Sequence, residues 1–232
     1  MTKKLYWEDA YLSEFEAIVT QIEGSRVVLD QTCFNPQGGG LVSDTGYLNG
    51  IQVNEVHYGV DDTIMHALAQ EPPFKVGEQV HGVVDWLRRH RIMRMHTSAH
   101  LLSAIFHKEA GALITGNRIE PVHSRIDFSL AEFDRARIEN YVHQANAIIT
   151  EGRPVKTYFL PREKALQIPG IVKLAGAFPP EVKELRIVEI ESIDIQADGG
   201  PHVRELREIG EITVEKLENK GAQNRRLYYN IS

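Results

Sequence analysis

The chain has 232 residues and a formal net charge of −6, with 42% hydrophobic and 25% charged residues. This balance is typical of a soluble globular protein, and no apolar run is long enough to cross a bilayer. The first residues lack the apolar stretch of a secretory signal. Cys33 is the only cysteine, which excludes an intramolecular disulfide and a cysteine-rich zinc site. Together these features predict a cytoplasmic protein that does not associate with membranes.

The first 85 or so residues predict β structure. Alternating runs at 16–22 and 25–30 are separated by glycine, and Asn49-Gly50 between two apolar runs is the strongest short hairpin signal. A segment rich in proline and glycine at 71–77 precedes a further strand at 79–84. Short strands at this spacing predict a small β-barrel.

The pattern then changes to a helical period. Apolar residues spaced three or four apart predict a helix over 85–110 that ends at Gly111. A second helix is predicted over 130–150, with Ser129 as its N-cap and Glu132 completing a capping box.

The rest of the chain predicts a short helix over 162–167, a loop that contains Gly176, and four strands. The strands are predicted over 123–128, 185–193, 202–206 and 208–216. We therefore predict an α+β protein with an N-terminal small β-barrel over 1–86, followed by an α/β two-layer domain over 87–232.

His96 and His100 lie four residues apart, in His-Thr-Ser-Ala-His, on the strongest predicted helix. This spacing puts both imidazoles on one face, about one turn apart, where two nitrogens can reach one ion. Thr97 follows His96, so the glutamate base of a His-Glu-x-x-His metalloprotease is absent. Taken alone, the pair is equally compatible with two unrelated, partly buried histidines.

Asp198 and His202 form a second pair, in Asp-Gly-Gly-Pro-His. The glycines and the proline argue against a helix and favour a tight loop, although a surface histidine after a Gly-Gly turn is the plain alternative. Together with His96 and His100, this pair offers three nitrogens and one oxygen, and a water could complete a catalytic zinc shell. We therefore predict one Zn²⁺ per chain at these four residues.

Two further kinds of segment could bind a ligand. Gln37 is followed by three glycines, whose backbone amides are exposed and allow close approach, although a flexible hairpin loop fits the composition as well. Two basic clusters could neutralise phosphates on an acidic protein or could form solvated surface. The clusters comprise Arg88, Arg89, His90, Arg91 and Arg94, and Lys216, Lys220, Arg225 and Arg226.

In their order along the chain, these segments resemble the editing half of alanyl-tRNA synthetase and, more closely, its freestanding relatives, the AlaX trans-editing proteins of medium length. The resemblance covers nearly the whole chain, and Asp198 stands where the synthetase motif has cysteine. The matching segments are 34–40 with 43–46, the HxxxH helix at 94–102, 116–128, 198–203 with 209–212, and 224–226.

The resemblance implies a zinc-dependent aminoacyl-tRNA hydrolase that deacylates tRNA(Ala) mischarged with serine or glycine. It makes 87–232 the editing domain, whose zinc either activates a water or orients the ester. The residues implied in catalysis are His96, Thr97, His100 and Gln37, with Thr97 and Gln37 sensing the amino-acid side chain. Those implied in binding tRNA are Gly38, Gly39, Gly40, Arg88, Arg89, Arg91, Arg225 and Arg226.

Two alternatives remain open at this point. One is editing of a different aminoacyl-tRNA, such as that of threonine, against which the glycine-rich motif argues. The other is a non-catalytic RNA-binding module with a structural zinc; a closed site with Asp198 as a firm fourth ligand would favour it, and an open position would favour the enzyme. The oligomeric state is left open between monomer and dimer.

Overall fold

The computed structural model describes residues 1–174, 182–221 and 224–232, so Gly176 of the predicted loop lies outside the described residues. The chain divides into two compact units, Met1–Ile92 and Met93–Ser232. Within the described ranges, no helix is long and apolar enough to cross a membrane.

The first unit is built on a barrel. Six of its strands close into an antiparallel barrel in the order β2-β3-β7-β6-β5-β8, while β1 pairs with β4 in parallel. The predicted small β-barrel is therefore confirmed. Its elements are β1 Lys3–Lys4, α1 Leu5–Glu8, β2 Glu14–Glu23, β3 Arg26–Leu29, β4 Gln31–Thr32, β5 Gly46–Leu48, β6 Ile51–Tyr58, a 3₁₀ helix Val60–Asp62, β7 Ile64–Leu68 and β8 Gln79–Val84.

Alternation of side chains builds the barrel interior. In β2, Phe15, Ala17 and Val19 are buried, and the residues between them are exposed, because successive side chains of a strand point to opposite faces. The predicted hairpin joins β5 to β6, and Asn49 and Gly50 adopt φ angles of 45° and 80°. Positive φ at both central residues is what a type I′ turn requires.

The barrel core also contains a neutral histidine. His66 is completely buried, with Nε2 2.9 Å from the Thr32 hydroxyl and Nδ1 3.1 Å from the Val27 carbonyl oxygen. Burial lowers its pKa from 6.5 to about 4, although the bond to Val27 opposes this shift. The unfolded chain therefore takes up a proton between these two pH values that the folded barrel does not.

We expect this difference to make the barrel acid-sensitive. The free energy of unfolding should fall by about 3 kcal/mol as the pH falls from 6.5 towards 4, since each pKa unit is worth about 1.4 kcal/mol. Urea unfolding followed by tryptophan fluorescence measures this unit, because Trp7 and Trp86 both lie in it. His66→Gln should flatten the pH profile, and His57→Gln, at a half-exposed position on β6, should not. Equal slopes in both variants would contradict the assignment.

The second unit contains two antiparallel sheets, in the orders β14-β15-β10-β9 and β11-β12-β13. The predicted α+β class is confirmed. Helix α2 begins in the first unit and ends in the second. The elements from there on are α2 Trp86–Ala110, β9 Ile114–Arg118, β10 Ser124–Phe128, α3 Arg135–Glu151, β11 Val155–Pro161, α4 Arg162–Ala165, β12 Glu184–Ile190, β13 Asp194–Ala197, a 3₁₀ helix Leu206–Ile209, β14 Ile212–Asn219 and β15 Arg225–Ile231.

Three predicted elements are wrong in detail. The strand predicted over 208–216 begins at Ile212, after the 3₁₀ helix Leu206–Ile209. Helix α3 begins after Asp134, whose carboxylate caps it by accepting the Arg137 backbone N–H at 3.1 Å, whereas the Ser129 hydroxyl accepts the Leu113 N–H at 2.8 Å. The strand predicted over 202–206 is a loop that leads into the 3₁₀ helix, which opens with a capping box between Glu205 and Glu208.

Candidate metal centre

Helix α2 and the loop after β13 bring four of the predicted residues together. His96 and His100 lie one turn apart on α2, and Asp198 directly follows β13. The His202 ring centroid lies 4.1 Å from that of His96 and 4.6 Å from that of His100. One ligand atom from each of the four residues lies within 4.8 Å of the other three. We call these four residues the His₃Asp group.

The separations within the His₃Asp group fit a single small ion. Asp198 Oδ2 lies 3.5 Å from Nε2 of His96 and 3.7 Å from Nε2 of His100, and Oδ1 lies 3.4 Å from Nε2 of His202. Ligands held tetrahedrally at about 2.0–2.1 Å from zinc are roughly 3.3–3.4 Å apart. Three imidazoles and a carboxylate are also a donor set that zinc accepts.

The loop that carries Asp198 is held by a hydrogen bond within the loop and by two from Arg186. Asp198 Oδ1 accepts the Gly200 N–H at 2.6 Å. The buried Arg186 on β12 donates from Nη1 to the carbonyl oxygens of Asp198 and Gly200, at 3.1 and 2.9 Å. These bonds turn the carboxylate and His202 towards the same point, as the predicted tight loop requires.

The outer nitrogens of two histidines are fixed by neutral groups. His96 Nδ1 lies 3.3 Å from the Pro201 carbonyl oxygen, and His202 Nδ1 lies 3.0 Å from the Thr97 hydroxyl. That hydroxyl donates to the Met93 carbonyl oxygen at 2.9 Å, so it can accept a hydrogen bond from Nδ1–H of His202. Thr97 is completely buried and fits a residue that orients His202; its contact with a substrate side chain stays a prediction.

Burial and charge together set the protonation of the His₃Asp group. Burial alone would lower the pKa of His100, but Asp194 and Asp198 raise it to about 9. Burial and the charges of His96 and His100 hold the pKa of His202 well below its ordinary value. Burial would raise the pKa of Asp198, yet the three histidines hold it well below its usual range. The metal-free group thus presents an ionised carboxylate and a neutral His202, which are forms that bind metals, whereas His100 carries a proton that it must lose when a metal binds.

The glycine-rich loop lies in the first unit and is closed at its base. The Asn35 N–H donates to Asp44 Oδ2 at 2.6 Å, and the Asp44 N–H donates to the Asn35 carbonyl oxygen at 3.0 Å. Gln37 is exposed, and Gly39 and Gly40 have φ angles of 59° and 90°, which side chains rarely adopt. The roles of Gln37 and the three glycines at a substrate or tRNA stay predictions.

Two of the predicted tRNA-binding arginines are used inside the protein. Arg89 is completely buried, and its guanidinium contacts the Asp44 carboxylate and the carbonyl oxygens of Cys33 and Ala10, at 2.6 and 3.1 Å for the carbonyls. Arg225 is 6% exposed and donates to the carbonyl oxygen of Ala131 at 2.7 Å. A buried guanidinium with such partners cannot reach a phosphate, so the structure gives both residues a structural role instead.

The other three predicted arginines are partly accessible. Arg226 forms a two-point ion pair with Asp127, at 2.6 and 2.8 Å, and keeps 21% of its side chain exposed. Arg88 is half-buried and donates to the Ser43 carbonyl oxygen at 3.1 Å; Arg91 is half-buried as well. Their contact with tRNA stays a prediction.

Comparison with known families relates the chain to aminoacyl-tRNA synthetases. Residues 185–228 match the family described as the threonyl and alanyl tRNA synthetase second additional domain. Residues 8–88 match class II (A) tRNA synthetases. The alanine–tRNA ligase of Sulfurisphaera tokodaii is 36% identical over 229 residues, which span 94% of this chain and 25% of the ligase. The chain is therefore similar in sequence to a segment that makes up about a quarter of this ligase.

Other relatives match the chain over nearly their whole length. The alanyl-tRNA editing protein AlaX-M of Saccharolobus solfataricus is 48% identical, over 100% of this chain and 99% of the relative. The AlaX-M protein of Methanosarcina mazei is 43% identical, over 100% of this chain and 97% of its own length. The chain belongs to the AlaX-M family, which confirms the resemblance noted in its motifs.

Proposed function

We propose that the protein is a trans-editing hydrolase that cleaves the ester between a wrongly attached amino acid and tRNA(Ala). Serine and glycine are the proposed amino acids, and zinc is the proposed cofactor. The observation that carries the proposal is the His₃Asp group, in a chain whose relatives are named alanyl-tRNA editing proteins. Those relatives favour alanine tRNA over threonine tRNA.

In the His₃Asp group, the three histidines would hold the ion, and the substrate would enter beside Asp198. Zinc, when bound, would supply a Lewis acid that activates a water or orients the ester. The three imidazoles have side chains 1–8% exposed, whereas that of Asp198 is 25% exposed. Solvent therefore reaches the group beside Asp198, and a substrate would approach there. The exposure of Asp198 supports an enzyme, in which a water or the substrate takes the position of this carboxylate, over a structural zinc closed by all four residues.

Rejection of alanine would depend on polar contacts. A pocket built to hydrogen-bond a serine hydroxyl disfavours an analogue that lacks the hydroxyl much more strongly than an apolar pocket can discriminate by size. Gln37 is a proposed sensor of the amino-acid side chain. Thr97 is completely buried, and its proposed contribution is to keep His202 in place.

A deacylation assay tests the proposed function. The purified protein is incubated with Ser-, Gly- and Ala-charged tRNA(Ala) and with Ser-charged tRNA(Thr), and His100→Ala serves as the control. We expect Ser- and Gly-tRNA(Ala) to be cleared well above the buffer rate, and the other two to be cleared more slowly. Clearance of none of them, or equal clearance by the variant, would reject the editing function.

Asp198 variants test the carboxylate as a ligand. Asp198→Asn keeps the size but removes the charge, so we expect zinc affinity to fall about tenfold or more. Asp198→Cys supplies a thiolate, which zinc also binds, and we expect affinity to stay at or above that of the unmodified protein. Competition with a chromophoric chelator measures both, and a sulfur-to-metal charge-transfer band after loading with Co²⁺ identifies the thiolate ligand. Identical affinities for all three proteins would exclude position 198 from the site.

A further inference from the structure

His100 differs from the other two histidines because its outer nitrogen faces a charge. His96 Nδ1 and His202 Nδ1 meet a carbonyl oxygen and a hydroxyl. His100 Nδ1 instead lies 3.5 Å from Oδ2 of Asp194, whose side chain is completely buried. Strand β13 begins at Asp194 and ends just before Asp198, so its two ends place one carboxylate on either side of the His100 ring.

The other partners of Asp194 are hydrogen-bond donors. The ammonium of Lys173 donates to Oδ1, and the Gln196 side-chain amide donates to Oδ2 at 2.6 Å. An ammonium has no acceptor, and the amide nitrogen of glutamine only donates. Asp194 therefore serves as an ionised acceptor in this network. At the 3.5 Å that separates them, such a carboxylate attracts a proton on His100 Nδ1. When His100 is neutral, as metal binding requires, this proton leaves the lone pair on Nε2.

We propose that Asp194, held by Lys173 and Gln196, is a positioning residue that fixes the ring and tautomer of His100 so that Nε2 faces the metal. A carboxylate behind a metal-bound histidine fixes the ring orientation and makes the imidazole a better donor. Asp194 is not itself a ligand, because His100 Nδ1, on the far side of the ring from Nε2, is the atom that meets it. This assignment rests on the proposed metal centre.

The first experiment measures zinc affinity of the full-length protein by chelator competition. Asp194→Asn removes the charge and keeps the shape, and its affinity should fall about 10–100-fold. In ¹⁵N NMR of the zinc-loaded protein, His100 should carry its proton on Nδ1, and this signal should shift in the variant. A residue with only a structural role would leave both measurements unchanged.

A second buried carboxylate provides a matched control. Asp127 is 5% exposed, lies in the same unit, and is paired with Arg226 and Arg125. None of its described contacts is with the His₃Asp group. Asp127→Asn should therefore reduce the stability of the metal-free protein and leave zinc affinity unchanged. If Asp127→Asn lowered affinity as much as Asp194→Asn, general destabilisation would explain both and the proposal would fail.

Lys173→Met keeps the proposal testable if Asp194→Asn does not fold. This variant leaves Asp194 in place without its cation, and we expect a loss of affinity of about threefold to tenfold. If the lysine acts through Asp194, its removal should have no further effect in the Asp194→Asn background, because coupled residues are not additive. Unchanged affinity in Lys173→Met, or in Asp194→Asn where it folds, overturns the proposal.

Zinc binding by the unmodified protein distinguishes a failure of the proposed metal centre from a failure of the role proposed for Asp194. If it binds no zinc, the metal centre is rejected, and the role of Asp194 is rejected with it. If it binds zinc and Asp194→Asn binds equally well, the centre stands and only the positioning role is lost.

Discussion

His96→Ala is expected to lower kcat/KM for Ser-tRNA(Ala) about 10²–10³-fold. The change removes one of the three imidazoles of the His₃Asp group, and the charge stabilisation that a correctly held metal gives a transition state is worth several kcal/mol. Each 1.4 kcal/mol corresponds to about a tenfold change in rate. Single-turnover deacylation and the zinc content of the same sample measure the two effects side by side.

His107→Ala is the matched control for this experiment. His107 lies on the same helix, is half-buried and points Nδ1 to within 3.3 Å of the Ala112 carbonyl oxygen. The same substitution there should leave kcat/KM within about twofold, since surface or partly buried changes away from a site have small effects. If His96→Ala retained the unmodified rate, hydrolysis would not depend on the His₃Asp group.

Arg89→Met is expected to destabilise the first unit by about 3–5 kcal/mol. The variant leaves the Asp44 carboxylate, whose side chain is 2% exposed, without its cation, and an unpaired buried charge has a cost of this size. Asp44 also bonds to Asn35 at the base of the glycine-rich loop, so the loop should lose protection from proteolysis as well. Urea unfolding followed by tryptophan fluorescence measures the change.

Two variants make the Arg89 result specific. Arg88→Met, at a half-buried neighbour that meets a carbonyl oxygen instead of a carboxylate, should cost clearly less. The double variant Arg89→Met/Asp44→Leu should recover part of the loss, because it removes both charges. If Arg89→Met kept the stability of the unmodified protein and only weakened tRNA binding, the phosphate contact predicted from the sequence would be right after all.

The helical spacing of the sequence indicates that Arg89 is buried, although its place in a cluster of basic residues indicates an exposed side chain. Arg89, Met93, His96 and His100 follow one another at intervals of three or four residues, and all four are buried. A helix places such positions on one face. The same period that groups His96 with His100 therefore puts Arg89 on the buried side, where an arginine needs a carboxylate.

Local sequence patterns predicted the bounds of an element well where a single hydrophobic periodicity runs through it. The strand at 79–84 and the helix from 85 or 86 to Ala110 have the expected bounds. The start of α3 could not be chosen in this way, because Ser129 and Asp134 are both good caps. Only the contact between Ser129 and Leu113, which are distant in sequence, decides between them.

The residues of the site also fall into those that the sequence indicates and those that only the structure shows. The four central residues of the site stand in two pairs of equal spacing, and such spacing is visible in a sequence. Asp194, Lys173 and Arg186 act through contacts between separate segments, and each has another plausible reading as a surface charge. The sequence does offer one indication that Asp194 is buried. It occupies an inward position of a strand, and Gln196 occupies the next inward position.

The His₃Asp group draws its members from two segments that are about one hundred residues apart. An ion held there would tie a helix to a distant loop, and a covalent tie over that span restricts an unfolded chain by roughly 5 kcal/mol. A ligand that binds only the folded form also stabilises it in proportion to the logarithm of its concentration. The lifetime of the protein would thus depend on how much free zinc its surroundings contain.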